Sequence, residues 1–145
     1  MVRLSDHWGT PDWIMEIFHD WYDPCPPFGD EGRARDNLNG YWRHPRVYVN
    51  PPYSAPAPWI AKAIRTAQQG NKVVMLLKHD SSTRWYKQLV EAGARFLMVE
   101  GRLNFKSLAN EGKSCHAAAH PSILAVLGGG KTPIQQDFST LEDYS

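Results

Sequence analysis

Short apolar runs and helix-spaced apolar positions alternate along most of the chain, and this alternation predicts the order of its elements. Four segments have the composition of strands: Arg46–Val49, Val73–Leu77, Arg95–Val99 and Ser122–Leu127. Val73–Leu77 is apolar at every position, as expected of a strand covered on both faces. Apolar residues spaced three and four apart predict one helix from about 58 to 69. A second helix is predicted to start after a cap at Ser81 or Ser82 and to end at about residue 92.

The first third of the chain predicts one helix, one very short strand and a loop. Thr10 is the predicted N-cap with Pro11 at the first helical position, and the helix that follows carries Trp13, Ile14, Ile17 and Phe18. Residues 21–23 predict a very short strand because prolines follow at once. Residues 28–40 predict a loop, with one helical turn left open as an alternative. The alternation of strands and helices from 46 to 99 predicts an α/β fold with a parallel sheet and right-handed crossovers.

Composition limits the class of protein. The 145 residues predict one domain over 1–130 and a C-terminal tail over 131–145, which follows a glycine-rich exit. Hydrophobic and charged fractions of 42% and 21% are those of a soluble globular protein, and no apolar run approaches the roughly 18 residues of a membrane span. The two cysteines and the absence of a signal peptide predict a cytoplasmic protein, in a bacterial, archaeal or virus-infected host cell. The net charge of +1 means that a nucleic-acid partner requires a local basic face.

The strand Arg46–Val49 ends abruptly, because Asn50 is followed by two prolines and Tyr53. In open α/β sheets ligands bind at the carboxyl ends of strands, so an amide, fixed backbone carbonyls and an aromatic ring are expected at such an edge. A proline-stiffened loop with a core tyrosine is the alternative that these residues alone leave open.

These groups suit the methylation of an aromatic amine. The lone pair of an exocyclic amine is delocalised into its ring, which makes the nitrogen a poor nucleophile. The Asn50 side-chain oxygen and the Pro51 carbonyl, aimed at the amine hydrogens, would favour sp3 geometry and offset the developing positive charge. Tyr53 would stack on the base and hold it in line with a methyl donor.

The tetrapeptide is similar to the Asn/Asp-Pro-Pro-Tyr motif of amino-methyltransferases that use S-adenosylmethionine, which glutamine methyltransferases of release factors also carry. With six further elements in the same order, the chain from about Trp8 to Leu127 resembles the small phage-type DNA adenine-N6 methyltransferases, the phage Dam-like family. The six are Trp8–Pro11, Asp23–Pro26, Asp36–Leu38 ahead of Trp42, the helix with Trp59 and Lys62–Ala63, Leu76–Tyr86 and Gly101–Phe105.

The resemblance implies transfer of a methyl group from S-adenosylmethionine directly to the N6 amine of an adenine in DNA, without a covalent enzyme intermediate. It implies a reduced Rossmann-like methyltransferase fold, a mostly parallel sheet with flanking helices and an antiparallel last strand. The implied catalytic residues are Asn50, Pro51, Pro52 and Tyr53. The implied cofactor-binding residues are Trp8, Thr10, Pro11, Asp23, Pro24, Cys25 and Asp36, with Asp23 and Asp36 as turn-formers in the alternative interpretation.

An adenine within a duplex cannot reach such a site, so the resemblance also implies that the base is extruded. Phe105 would pack against the extruded base opposite Tyr53, and the alternative is that Phe105 belongs to the core of a β-hairpin. Arg102 or Lys106 would contact a phosphate, and Arg84 would make a further contact to the DNA backbone. No segment is long enough for a separate target-recognition domain. The recognised DNA sequence is therefore expected to be short, or specificity to be absent or supplied by the partner in a homodimer.

Four other interpretations compete with this one. A zinc site from Cys25, Cys115, His116 and His120 lacks the usual ligand spacing, and no metal is expected. A catalytically idle nucleic-acid-binding module with the same fold is disfavoured by the intact Asn50–Tyr53. Cytosine-N4 methylation usually goes with Ser or Asp in place of Asn50, so adenine is favoured, and the glycine-rich motif of glutamine methyltransferases is missing.

Overall fold

The computed structural model describes residues 8–9, 11–25, 37–52, 54–99, 104–107, 115–117 and 121–128. The helices are α1 (Asp12–Phe18), α2 (Ala57–Gln68) and α3 (Arg84–Glu91), and residues 37–39 add a short helical segment. The strands are β1 (Trp8–Gly9), β2 (Arg46–Val49), β3 (Lys72–Lys78), β4 (Arg95–Met98), β5 (Asn104–Ser107), β6 (Cys115–Ala117) and β7 (Ser122–Leu127). The elements confirm a mixed α/β chain.

A four-stranded sheet has the order β2-β3-β7-β4. β2 and β3 are parallel, whereas β7 is antiparallel to both β3 and β4, so the last strand is antiparallel as expected. β2, β3 and β4 therefore share one direction. Because β7 lies between β3 and β4, however, this sheet has one parallel and two antiparallel neighbouring pairs. The expectation of a mostly parallel sheet is corrected to a mixed sheet.

The sheet extends beyond β2 by a single parallel bridge between Tyr22 and Val47. The Tyr22 N–H donates to the Arg46 carbonyl at 3.1 Å, and the Tyr22 carbonyl accepts from the Tyr48 N–H at 2.9 Å. This bridge confirms the very short strand predicted at 21–23. It also makes Tyr22 a neighbour of β2 that runs in the same direction.

Helices cover both faces of the sheet. On one face, Ile14 and Phe18 of α1 pack with Val74 and Leu76 of β3. On the other face, the buried side chains belong to α2, α3 and the alternate strand positions, namely Trp59, Ile60, Ala63, Leu89, Val73, Met75 and Leu77. Residues 73–77 are all buried, which confirms a strand covered on both faces. Full burial of each such apolar side chain stabilises the fold by about 1.5–3 kcal/mol relative to exposure.

A second sheet has the order β1-β5-β6, with antiparallel pairing throughout. The chain leaves the four-stranded sheet after β4 and returns at Ser122, where the Val99 N–H donates to the Ser122 carbonyl at 3.3 Å. Ser122 pairs with Lys78, the last residue of β3, so the connection that contains β5 and β6 starts and ends where the three same-direction strands end. The apolar pattern did not reveal this sheet, because its strands are short and polar.

Two predicted helix starts require correction. α1 begins at Asp12, and Pro11 is its N-cap rather than its first helical residue, while Thr10 lies outside the described residues. α3 is capped by Thr83, whose hydroxyl oxygen accepts from the Tyr86 N–H at 3.3 Å, rather than by Ser81 or Ser82. In the described part of the chain no helix combines the length and the apolar character needed to cross a membrane.

Candidate active site

Asn50 and Pro51 leave β2 at its carboxyl end, as the proline pair predicts. Pro51 is buried, Asn50 and Pro52 are half-buried, and the Pro52 carbonyl accepts from the Ala55 N–H at 3.3 Å in the turn that leads into α2. Neither proline has an N–H to continue the ladder with β3. The turn therefore presents an amide side chain and a proline carbonyl beyond the end of the strand.

Asp23 lies one residue beyond the Tyr22 bridge, in a tight turn with Pro24 and Cys25. One Asp23 carboxylate oxygen accepts from the Cys25 N–H at 3.0 Å, which is the ordinary geometry of an Asp-initiated turn. Burial raises the pKa of Asp23 from its ordinary 3.8 to about 6, and the Cys25 hydrogen bond opposes that rise. Asp23 is thus a desolvated carboxylate held at the end of a strand.

The two turns lie at the same edge of the sheet. Tyr22 and β2 are parallel neighbours, and each turn follows the carboxyl end of its own strand. This is the edge at which open α/β sheets bind ligands. The structure therefore brings Asp23, Pro24 and Cys25 to the same side of the sheet as Asn50, Pro51 and Pro52.

Asn37 connects the Asp23–Cys25 turn to the segment that precedes β2. Its side-chain amide donates to the Pro24 carbonyl at 2.8 Å, and its own carbonyl accepts from the Trp42 indole N–H, also at 2.8 Å. Trp42 is only 3% exposed and stacks on Trp59, with ring centroids 6.0 Å apart and planes at 24°. Trp59 belongs to α2, the helix that follows the Asn50–Pro52 turn.

Lys62 of α2 adds a second connection to the same segment. Its ammonium donates to the Gly40 carbonyl and lies 5.5 Å from the centroid of the Trp42 ring, within cation–π distance. A cation beside an aromatic face and a backbone carbonyl fixes the segment on α2 by two different interactions. Residues 37–42 are thus attached to the Asp23–Cys25 turn through Asn37 and to α2 through Gly40 and Trp42.

The end of β3 carries an aromatic stack. His79 stacks on Tyr86 of α3 at 6.0 Å between centroids, and Tyr86 stacks on Phe96 of β4 at 4.9 Å. Hydrogen bonds from Ser82 hold the pKa of the neighbouring Asp80 below its usual range. These contacts fix the loop between β3 and α3 at the edge that also carries the two turns.

A family model described as DNA N-6-adenine-methyltransferase (Dam) matches residues 1–141. The chain belongs to the Dam family. Two relatives named DNA N-6-adenine-methyltransferase support the assignment. The one from Escherichia phage T1 is 33% identical over 120 residues, which are 74% of this chain and 50% of the relative. The one from Haemophilus phage HP1 (strain HP1c1) is 31% identical over 108 residues, which are 66% of this chain and 62% of the relative.

The Dam-family chain thus spans about half the length of the first relative and less than two thirds of the second. No solved structure matches it. The family assignment confirms the resemblance seen in the sequence.

The other candidate residues of this Dam-family chain fall into three groups. Pro11 is buried at the start of α1, and Arg84 is the exposed first residue of α3, after the carboxyl end of β3. Trp8, Phe105 and Lys106 are described by their backbone: Gly9 pairs with Lys106, and Phe105 pairs with His116. The small sheet thus joins the Trp8 segment to the Phe105 segment. Thr10, Asp36, Tyr53 and Arg102 lie outside the described residues.

Within the described residues, no group of three or more His, Cys, Asp or Glu side chains is placed to hold a metal ion. Cys115 and His116 lie in β6, and His120 lies outside the described residues. Sequence reasoning gave no role to Asn37, although it lies next to Asp36 in one of the motif elements. Its hydrogen bond reaches a carbonyl 13 residues earlier, and such a contact leaves no local pattern.

Proposed function

We propose that the chain transfers a methyl group from S-adenosylmethionine to the N6 amine of an adenine in DNA. The observation that carries the proposal is the pair of turns at one edge of the sheet, Asp23–Cys25 beside Asn50–Pro52. Membership of the Dam family supports the reaction class. The relatives' names support DNA as the substrate.

The chemistry of the Asp23 turn fits S-adenosylmethionine. At neutral pH most Asp23 side chains are ionised although the carboxyl is partly desolvated, since its pKa is about 6. A desolvated carboxylate gains most from a ligand that donates hydrogen bonds, and the cofactor offers an ammonium and ribose hydroxyls. Asp23, Pro24 and Cys25 would hold it, together with Trp8, Thr10, Pro11 and Asp36. When bound, S-adenosylmethionine would supply an electrophilic methyl group on its sulfonium sulfur.

Asn50 and Pro51 would act on the target amine. Their oxygens accept from the two amine hydrogens and stabilise the positive charge that develops on nitrogen as the methyl arrives. Pro51 and Pro52 fix the backbone, so the carbonyl is oriented before the substrate binds. Tyr53 stacks on the extruded base, and the proton leaves the product nitrogen to solvent.

The fold and the DNA contacts belong to the same proposal. Three same-direction strands with an antiparallel β7 between the last two support a reduced Rossmann-like methyltransferase sheet. Phe105, Arg102, Lys106 and Arg84 are the proposed DNA contacts. The connection that contains β5 starts and ends at the carboxyl ends of β4 and β3, and α3 starts after the carboxyl end of β3, which supports them. A homodimer and a cytoplasmic location remain part of the proposal.

The test is methyl transfer from labelled S-adenosylmethionine to unmethylated duplex DNA, followed by digestion and nucleoside analysis. Label in N6-methyladenine is the expected result. Label in N4-methylcytosine would overturn the base assignment, and cofactor binding without transfer to DNA would overturn DNA as the substrate. If the cofactor does not bind, an idle nucleic-acid-binding module becomes the better account.

Asn50→Ala tests the acceptor role. We expect the affinity for S-adenosylmethionine to remain nearly unchanged and the rate constant to fall by at least ~100-fold, the usual scale for losing one preorganised electrostatic contact. Asn50→Asp keeps an oxygen acceptor and should lose less activity than the alanine variant. Wild-type turnover in Asn50→Ala would contradict the role, and single-turnover kinetics with saturating cofactor measure it.

A further inference from the structure

We propose that Asn37 is a positioning residue, whose side-chain amide holds the Asp23–Cys25 turn in register with the Asn50–Pro52 turn. Trp42 and Lys62 attach Asn37's segment to α2. The inference rests on the proposed function, because the turn that Asn37 holds is the proposed cofactor turn. It adds a residue to which neither the motif nor the family comparison gives a role.

The hydrogen bond from Asn37 satisfies the backbone carbonyl of Pro24. Pro24 has no N–H, so its carbonyl is its single backbone hydrogen-bonding group, and the residue is buried. The Asn37 amide donates to that carbonyl at 2.8 Å. Cys25 donates to the Asp23 carboxylate on the other side of Pro24. Two hydrogen bonds therefore fix the turn, one internal and one from outside.

Asn37 is itself held from the opposite side. The Trp42 indole N–H donates to the Asn37 carbonyl at 2.8 Å, and the Trp42 ring is stacked on Trp59 of α2. Lys62 donates from the same helix to the Gly40 carbonyl. α2 begins at Ala57, shortly after the Asn50–Pro52 turn, and the Ala55 N–H donates to the Pro52 carbonyl between them, so the contacts lead from one turn toward the other.

This path has a consequence for the geometry of transfer. A methyl group moves in line only when donor and acceptor are held at a fixed separation, and small displacements cost rate or affinity. The strands position the starts of the two turns, but the turns extend beyond the last ladder hydrogen bonds. Asn37 and Trp42 supply the connection there.

The experiment compares Asn37→Ala with Asn39→Ala, a matched change at an exposed position two residues along the same helical segment. For the full chain, calorimetry gives the Kd for S-adenosylmethionine, and steady-state kinetics give KM and kcat. Leaving a buried carbonyl without its donor is expected to raise the Kd and KM roughly 5-fold or more in Asn37→Ala. The same loss should lower the thermal midpoint of Asn37→Ala by a few degrees, so all constants are measured well below it, where both variants are folded. Because the two turns lose their register, kcat at saturating cofactor should also fall below that of Asn39→Ala. Asn37→Gln, which keeps an amide donor, should recover part of the affinity.

Trp42→Phe provides an independent variant if Asn37→Ala does not fold. It removes the indole N–H and keeps a ring to stack on Trp59, and Trp13→Phe at an exposed tryptophan is its control. A raised Kd in Trp42→Phe supports the inference. Control-like Kd values in the folded variants overturn it while leaving the proposed function intact. A wild-type chain that binds no S-adenosylmethionine overturns both.

Discussion

Asp23 stabilises a turn through its carboxyl oxygen, while the fold around it disfavours the ionised form of the same carboxyl. The turn with Cys25 needs only an oxygen acceptor, which a protonated or an ionised carboxyl can supply. Burial favours the protonated form and raises the pKa of Asp23 to about 6. Ionisation at neutral pH therefore costs the free protein stability, and a ligand that donates hydrogen bonds recovers it.

Asp23→Asn should change the pH dependence of stability. Between the unfolded pKa near 3.8 and the folded pKa near 6, the folded chain keeps a proton that the unfolded chain has lost, so wild-type stability falls as pH rises through this window. Relative to Asp23→Asn, which keeps the turn acceptor, the wild type should lose up to roughly 2 kcal/mol between pH 4 and 7. Urea denaturation at both pH values measures this loss.

Glu16→Gln, at an exposed position on α1, is the control for that comparison. Its pH profile of stability should follow that of the wild type. Parallel profiles for the wild type and Asp23→Asn would show that the Asp23 carboxyl is not desolvated.

At the scale of elements, the start of α3 depends on one hydroxyl. Thr83 accepts from the Tyr86 N–H and donates to the Asp80 carbonyl at 2.9 Å. Thr83→Val keeps the shape and removes both hydrogen bonds, so it should cost about 1 kcal/mol, a typical value for losing an N-cap. Urea denaturation at constant pH measures the cost. Ser81→Ala changes an exposed residue and should stay within about 0.5 kcal/mol of the wild type; a larger loss there would restore Ser81 as the cap.

The elements that the sequence predicted well are those with clear ends. β2 and β7 have the predicted bounds because proline, glycine or polar residues border their apolar runs. The cap of α3 was missed because Ser81, Ser82 and Thr83 have the same capping chemistry, and Asp80 engages Ser82 in a separate hydrogen bond. The sequence pattern identifies where a helix starts to within a few residues, and competing local hydrogen bonds decide which residue is the cap.

The sequence pattern could not predict which strands lie next to each other in the sheet. An apolar run buries the same side chains whichever strand lies beside it, so nothing in Ser122–Leu127 showed that β7 pairs with both β3 and β4. Of the candidate site, the Asn50 and Asp23 turns were predictable because prolines mark both. Asn37 was not, since its partner Pro24 is distant in sequence and backbone carbonyls carry no residue-type signal.

At the scale of the whole molecule, the candidate site is assembled from segments that the central strands hold together. Asp23, Asn37 and Asn50 come from separate parts of the chain; Tyr22 and β2 carry Asp23 and Asn50 to one edge of the sheet, and Asn37 is bonded to Pro24 beside them. The edge that carries them is one end of a sheet packed on both faces. Opening of the site and unfolding of the core should therefore be coupled.

Native-state hydrogen exchange can measure that coupling. The Val74 and Ala125 amides lie in the buried centre of the sheet, so their free energy of opening should equal that of global unfolding. The Tyr48 N–H donates to the Tyr22 carbonyl, and Tyr48 is 1% exposed and stacked on Phe18, so we expect it to open only with the core. The Val90 amide, in a helix with an exposed face, is the internal reference for easier opening. If the Tyr48 amide instead exchanges at the free energy of Val90, the Tyr22 bridge opens separately, and the Asp23–Cys25 turn is an independent unit beside a stable sheet.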